Sequence, residues 1–152
     1  INEAIKSIRE ISNNLSPHML KNIGLASAVK NFTNRIVGPK VPNIIFESNL
    51  FGKRFNEEIE VILYRVICEL INNTIKHANA KNIEMHLNNQ DNTILLTYSD
   101  DGVGFNVSEV IHGNSMGTGY SNMMSRLRSI KGNIEVESQH NEGTKAIVRV
   151  YL

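Results

Sequence analysis

Residues 56–79 carry the strongest helical pattern in the chain, and they constrain what the rest can fold into. Leu63, Tyr64, Ile67, Leu70, Ile71, Thr74 and Ile75 fall on one broad arc at helical spacing. Asn56 is placed to cap the first turn, where Glu57 and Glu58 suit the helix dipole. Such a helix needs a covering layer, and the remaining pattern supplies strands. Residues 43–48 alternate around Ile44 and Phe46. Segments 82–88 and 93–99 flank the turn-rich stretch 88–92, and 133–139 and 144–151 flank His140-Asn141-Glu142-Gly143. Strands joined by short turns imply a mixed, largely antiparallel sheet. Helices on one face of it would make a two-layer α/β (α+β) sandwich.

Elsewhere the chain is punctuated. Residues 2–15 place Ile5, Ile8, Ile11 and Leu15 at helical spacing, and Ser16-Pro17 is expected to break that helix. Gly24 opens a second helical stretch with Leu25, Ala28, Val29 and Phe32 on one side. A glycine-bearing loop is expected from 100 to about 118, then a helix over 120–131 ended by Gly132.

A chain of 152 residues is long enough for one domain with a substantial core. Its formal net charge of +1, with no basic block, gives no electrostatic case for nucleic acid. The single cysteine, Cys68, has no internal disulfide partner and fits a reducing compartment. With no His/Cys cluster around it, Cys68 reads as a core or edge residue. No apolar run is long enough to cross a bilayer. The chain begins in what reads as the middle of a helix, as a piece of something longer would.

Chemistry enters with the polar side of helix 56–79. Glu69, Asn72, Asn73 and Lys76 stand at i, i+3, i+4 and i+7 and so share one face. One reading is a solvated face with a surface ion pair. The other is functional. Adjacent asparagines are poor helix-interior residues, while an acid, two carboxamides and a lysine suit a Mg²⁺–phosphate wall, because Mg²⁺ takes few protein oxygens alongside phosphate. Ser99-Asp100-Asp101-Gly102-Val103-Gly104 follows directly on a strand; it is either an exit turn or a place where a ligand meets backbone, with an acid to take a hydrogen bond from a base amino group. Gly113, Gly117 and Gly119 precede the next helix, as a flexible loop or a set of free amides for phosphate. Gly143-Thr144 by itself reads as a hairpin turn and strand start.

Taken in order, these elements resemble the histidine-kinase branch of the GHKL ATPases, a superfamily that includes gyrase, certain chaperones and mismatch-repair ATPases. Cys68 to Ala78 (CELINNTIKHA) is similar to the N box, Asp100 to Gly104 (DDGVG) to the G1 box, and Gly117 to Met123 (GTGYSNM) to the G2 box. Gly143-Thr144 is similar to the last glycine-threonine element. The likeness covers about residues 43–152. Leu15-Ser-Pro-His-Met-Leu-Lys-Asn-Ile-Gly-Leu25 resembles the junction after the dimerisation helices in the nitrate-sensor-like kinase subfamily. On that likeness 1–16 is the tail of the second dimerisation helix and 17–152 the ATP-binding catalytic domain. His18 does not match the family's phosphoacceptor motif.

The resemblance implies ATP and Mg²⁺ as ligands. Asn73 would coordinate the metal and Glu69 orient its shell or handle a proton. Lys76 and His77, with Asn72 beside them, would lie near the phosphates. Asp100 would accept from the adenine amino group, and Gly102 and Gly104 would let backbone approach the nucleotide. Gly117 and Gly119 would hinge a lid and present amides, and Thr144 would support the adenine site. Two positions depart from the family pattern: Asp101 stands where asparagine is frequent, and Tyr120 where leucine is usual. The segment 105–116 is short, implying a small, mobile lid.

The function implied is phosphoryl transfer from ATP to a histidine on a dimerisation domain absent from this chain, in a cytoplasmic part of a homodimeric parent that passes the phosphoryl to a response regulator. Two rivals share the same boxes: a nucleotide-binding regulatory module without kinase activity, and a serine kinase of the anti-sigma type.

Overall fold

The computed structural model describes residues 17–112 and 117–152. The expected helix at 2–15 lies outside the described residues. Pro17 is the first residue of helix α1 (Pro17–Ile23). Proline suits a first helical position, where its missing N–H would have no intrahelical partner. Gly24 turns the chain at φ 80° into α2 (Leu25–Arg35), as its place in the sequence implied.

Five strands form one sheet in the order β1-β2-β3-β5-β4. They are β1 (Asn43–Ser48), β2 (Asn82–Gln90), β3 (Thr93–Asp100), β4 (Gly132–Ser138) and β5 (Thr144–Tyr151). β1 pairs with β2 in parallel, and the other pairings are antiparallel. This is the mixed sheet that the short connections implied. The β2–β3 turn is tighter than expected. Both strands run further, and Asp91 and Asn92 turn the chain at φ 49° and 63°, the left-handed geometry of a two-residue hairpin.

Strand alternation sorts the sheet into an inner row and an outer face. Ile83, Met85 and Leu87 on β2, Ile94, Leu96 and Tyr98 on β3, and Ala146, Val148 and Val150 on β5 are all buried. Against them lies helix α3 (Glu57–Asn73), contributing Leu63, Val66, Ile67, Leu70 and Ile71. The Asn56 carboxamide caps α3 by accepting the Glu58 N–H at 2.9 Å. Glu60, in the first turn, is buried and ion-paired with Arg54 at 3.0 Å, and it also accepts the Phe55 N–H. Arg54 reaches on to the Leu20 carbonyl at 3.4 Å, so this pair ties the end of α1 to the start of α3.

Two features differ from the sequence reading. The loop after β3 contains a short helix, α4 (Val107–His112), which packs on α5 and β4. Helix α5 (Gly117–Ser129) begins at Gly117, three residues before the expected start, so both glycines of the GxG lie inside its first turn. The apolar periodicity of this helix begins only at Tyr120, so the pattern by itself leaves out the glycine turn.

Candidate nucleotide-binding site

The sheet register builds a polar row at one end of an otherwise apolar layer. Asp100 is the last inward residue of β3 and pairs with Thr144, the first inward residue of β5. Thr144 pairs in turn with Ser138, the last inward residue of β4. Three strands thus end their buried rows with an acid and two hydroxyls side by side. Ser138 Oγ accepts the Phe105 N–H at 2.9 Å and donates to the Gly143 carbonyl at 2.8 Å. Its proton is used there, so the 3.0 Å contact with Thr144 Oγ1 is donated by Thr144.

Asp100 is 9% exposed and held from two sides. Gly102 N–H donates to Oδ1 at 2.9 Å, and Thr74 Oγ1 donates to Oδ2 at 2.8 Å. Thr74 lies 2.5 Å from the Tyr98 hydroxyl, which also reaches the Leu70 carbonyl at 3.2 Å. With the Thr74 proton on Asp100, the single Tyr98 proton is shared between Thr74 Oγ1, at the shorter distance, and the Leu70 carbonyl. Burial, well ahead of its neighbours, pushes the Tyr98 phenol far above its ordinary pKa and keeps it a neutral donor. The relay Tyr98 to Thr74 to Asp100 fixes the carboxylate and leaves each oxygen a further lone pair for a ligand.

Past Asn73, helix α3 widens into a π turn over Thr74–Ala78. Such a turn holds more residues than the 3.6 of an α-helix, so each advances less around the axis. On a regular helix His77 would stand to one side of the Glu69–Asn73 stripe. The lag brings it into line and carries Lys76 off it.

The result is a pocket lined by Asn73, Thr74, His77, Asp100, Gly104 and Thr144, with aromatic and apolar walls from Leu70, Tyr98, Phe105, Val110 and Tyr120. Its largely apolar lining with a few convergent polar groups is that of small-molecule sites. Five residues singled out by sequence therefore line it: Asn73, His77, Asp100, Gly104 and Thr144.

The others are placed differently. Asn72 is buried at 7% exposure, its Oδ1 meets no hydrogen-bond donor, and it does not line the pocket. At i+3 from Glu69 it sits on the opposite side of the stripe from Asn73 and turns into the protein. Lys76 is half-buried beyond the lining, for the π-turn reason above. Gly102 is buried beneath the pocket, where a Cβ would meet Ala78 at 2.5 Å; its smallness lets β3 close on α3. Gly104 lines the pocket at φ 65°, and a Cβ there would run into the Gln139 carbonyl. Glu69 stands beside the pocket: a Cβ at Gly119 would lie 3.0 Å from Glu69 Oε1 and 3.8 Å from Asn73 Nδ2. The bare Gly119 keeps open the space where that acid and that carboxamide converge. Gly117 begins α5, and Gly113 lies outside the described residues.

Asp101 takes no part in the pocket. It accepts from Lys81 N–H, Asn82 N–H and Asn82 Nδ2 at 2.8–2.9 Å, tying the exit of β3 to the start of β2. The Asn82 side chain, above all, holds its pKa below the ordinary carboxylate value. Cys68 is buried, and burial pushes its thiol up to about 12. Thr74, Tyr98 and Ser138 were not singled out from sequence. Alternation alone could have placed Tyr98 beside Asp100 on the inner face. Nothing in local spacing could have paired Thr74 with an acid 26 residues away.

The family model described as "Histidine kinase-, DNA gyrase B-, and HSP90-like ATPase" matches residues 58–152, well over half of the chain. The chain belongs to this ATPase family. Within the family it is similar to sensor histidine kinases. It is 30% identical over 156 residues to the sensor histidine kinase ComP of Bacillus subtilis (strain 168), covering 100% of this chain and 20% of ComP. It is 30% identical over 146 residues to the oxygen sensor histidine kinase NreB of Staphylococcus carnosus (strain TM300), covering 96% of this chain and 42% of NreB. The chain thus spans less than half the length of either relative. Solved histidine kinases share the fold. A blue-light activated histidine kinase of Erythrobacter litoralis EL346 superposes with TM-score 0.69 at 15% identity, over 88% of this chain and 43% of that one. The Acinetobacter baumannii histidine kinase AdeS does so with TM-score 0.60 at 13% identity, over 98% and 75%. No described helix of this histidine kinase-like ATPase domain is long and apolar enough to cross a membrane.

Proposed function

We propose that this domain binds Mg·ATP in the pocket between α3 and the sheet and serves as the catalytic domain of a sensor histidine kinase. Its parent would transfer the γ-phosphoryl group to a histidine on a dimerisation domain. The observation that carries the reading is the Asp100 carboxylate. It is buried, braced by Thr74 and Gly102, and its remaining lone pairs are left for a ligand in a pocket that Asn73 also lines.

The residues fit the ligands. An adenine amino group needs an acceptor fixed in an otherwise apolar wall, and Asp100 among Leu70, Tyr98 and Phe105 offers one. Thr144, its register partner, has an oxygen left to hold a ring nitrogen through water. Asn73 and Glu69 are oxygen donors suited to a metal held mainly by phosphate and water. The described residues contain no cluster of three or more His, Cys, Asp or Glu side chains of the kind an all-protein cage would use. When bound, Mg²⁺ would neutralise charge on the phosphate oxygens. His77 at the rim and Lys76 beyond it would add positive or donor character for the phosphates. The first-turn amides of α5, from Gly117 and Gly119 onward, have no intrahelical acceptors and would meet anionic oxygens. Catalysis on this arrangement is positioning and charge stabilisation rather than covalent chemistry by the protein.

The acceptor is supplied from outside residues 17–152. Residues 1–16 would be the tail of a second dimerisation helix in a homodimeric parent. His18, exposed in the first turn of α1, would not be the phosphorylated residue. A response regulator would receive the phosphoryl from the parent, whose catalytic portion would face the cytoplasm.

Calorimetry with Mg·ATP tests the pocket. The wild type is expected to bind, with Asp100→Asn and Asn73→Ala each weakening binding about tenfold or more, as loss of a hydrogen bond to a charged group implies. No binding at millimolar ATP would sink the reading. Incubation with a supplied histidine-bearing dimerisation domain then tests the chemistry. An acid-labile phosphate means transfer to histidine, and an acid-stable one means the serine-kinase alternative. Binding with no transfer to either acceptor means the non-kinase regulatory module.

A further inference from the structure

The structure places Tyr120 in the pocket wall. It lies in the first turn of α5, is 7% exposed and shares the lining with Asp100, Asn73, His77 and Thr144. Its ring is held by packing. It tilts at 47° against Phe105 with centroids 5.8 Å apart, and Phe105 is itself anchored through its N–H to Ser138. The hydroxyl is not needed for that grip, because it hydrogen-bonds to none of the described residues. Nor is it one of the buried polar atoms without a partner, which among the described residues are Tyr64 OH and Asn72 Oδ1. A hydroxyl that is neither bonded nor sealed off, on a pinned ring in a pocket wall, is free for a ligand.

Its place along the pocket says which part of the ligand. Burial, and then the charges of Asp100 and Glu69, push the Tyr120 phenol up to about 12. The group is therefore a neutral O–H, and it adjoins both carboxylates: the neighbouring Gly119 faces Glu69 Oε1, and the ring packs on Phe105, which Ser138 holds in the row with Thr144 and Asp100. One marks the base end of the pocket and the other the metal–phosphate end. Between a base and its phosphates a nucleotide carries the sugar, whose hydroxyls are both donors and acceptors, as is a phenol.

We propose that the Tyr120 hydroxyl hydrogen-bonds a ribose hydroxyl of the bound nucleotide, so that this pocket prefers ribonucleotides to deoxyribonucleotides, a preference that leucine at this position could not provide. The inference rests on the nucleotide-binding reading above.

The test is calorimetry of the whole 152-residue chain with the Mg²⁺ complexes of ATP, 2′-deoxy-ATP and 3′-deoxy-ATP, on wild type and Tyr120→Phe. The wild type should bind ATP roughly three- to tenfold more tightly than one of the two deoxy nucleotides, the worth of one neutral hydrogen bond. Tyr120→Phe, which keeps the ring on Phe105, should bind ATP as weakly as that analogue and the analogue as before. Equal wild-type affinity for all three nucleotides would overturn the proposal. So would a preference that survives in Tyr120→Phe, or a loss spread equally over all three. If a thermal melt shows Tyr120→Phe to be poorly folded, Tyr120→Leu supplies the same comparison, since it too removes the hydroxyl. Failure of wild type to bind ATP at all sinks the nucleotide pocket and this proposal with it. Normal ATP binding with an unchanged preference in the variant sinks the Tyr120 assignment alone.

Discussion

At the scale of single residues, the site depends on side chains that are invisible as motifs. Thr74 belongs by spacing to the apolar arc of α3, yet its hydroxyl is the bridge between Tyr98 and Asp100. Thr74→Val keeps the shape and removes the bridge. It should cost about 1–3 kcal/mol in a urea melt, toward the lower figure because Tyr98 retains the Leu70 carbonyl. It should also weaken nucleotide binding, while Thr74→Ser should leave both near wild type. Asp101 has a structural role beside Asp100, which lines the pocket. Its pKa is lower in the folded chain than the usual carboxylate value, so it stabilises the fold fully above about pH 4. That contribution is lost as pH falls through the lower folded value. Asp101→Asn should therefore be less stable than wild type at pH 7, with the difference closing as chemical melts are repeated below about pH 4.

At the scale of elements, the loops are set by backbone approach rather than by flexibility. Gly104 combines a positive φ with the Gln139 carbonyl where a Cβ would stand, and Gly143 does the same against the Asp100 carbonyl. These two contacts close the loop after β3 onto the β4–β5 hairpin. Gly104→Ala should cost more than about 3 kcal/mol, because left-handed strain and overpacking add. Gly52 makes the control: its φ is 80°, but nothing lies within 4 Å, so Gly52→Ala should cost only the strain, about 1–2 kcal/mol. Equal losses for the two variants would mean that the Gln139 contact carries no energy. The π turn at Thr74–Ala78 matters at this scale too. It decides that His77 and not Lys76 meets the pocket, and a regular helical wheel drawn on the sequence assigns these two the other way round.

At the scale of the molecule, binding and folding are linked, because the pocket is made from α3 and its π turn, the ends of β3 and β5, the loop and α4 after β3, and the first turn of α5 together. Mg·ATP at a hundred times its dissociation constant should add about 2.7 kcal/mol to stability, raising Tm by roughly 5–10 °C in a domain of this size. Asp100→Asn should show a much smaller rise at the same concentration. The sequence by itself determined the layer arrangement, since alternation in the strands and the 3.6-residue arc of α3 are local patterns that local sterics enforce. It also determined the ordered glycine and acid motifs, and with them Asn73, Asp100, Gly104, His77 and Thr144 as pocket candidates. The tertiary structure alone decided that Asn72 faces inward, that Gly102 packs beneath the pocket rather than in it, and that Thr74, Tyr98 and Ser138 complete the polar row. The physical reason is distance along the chain. Strand register and a widened helical turn fix which residues meet across 26 or more positions, and no local periodicity records those meetings.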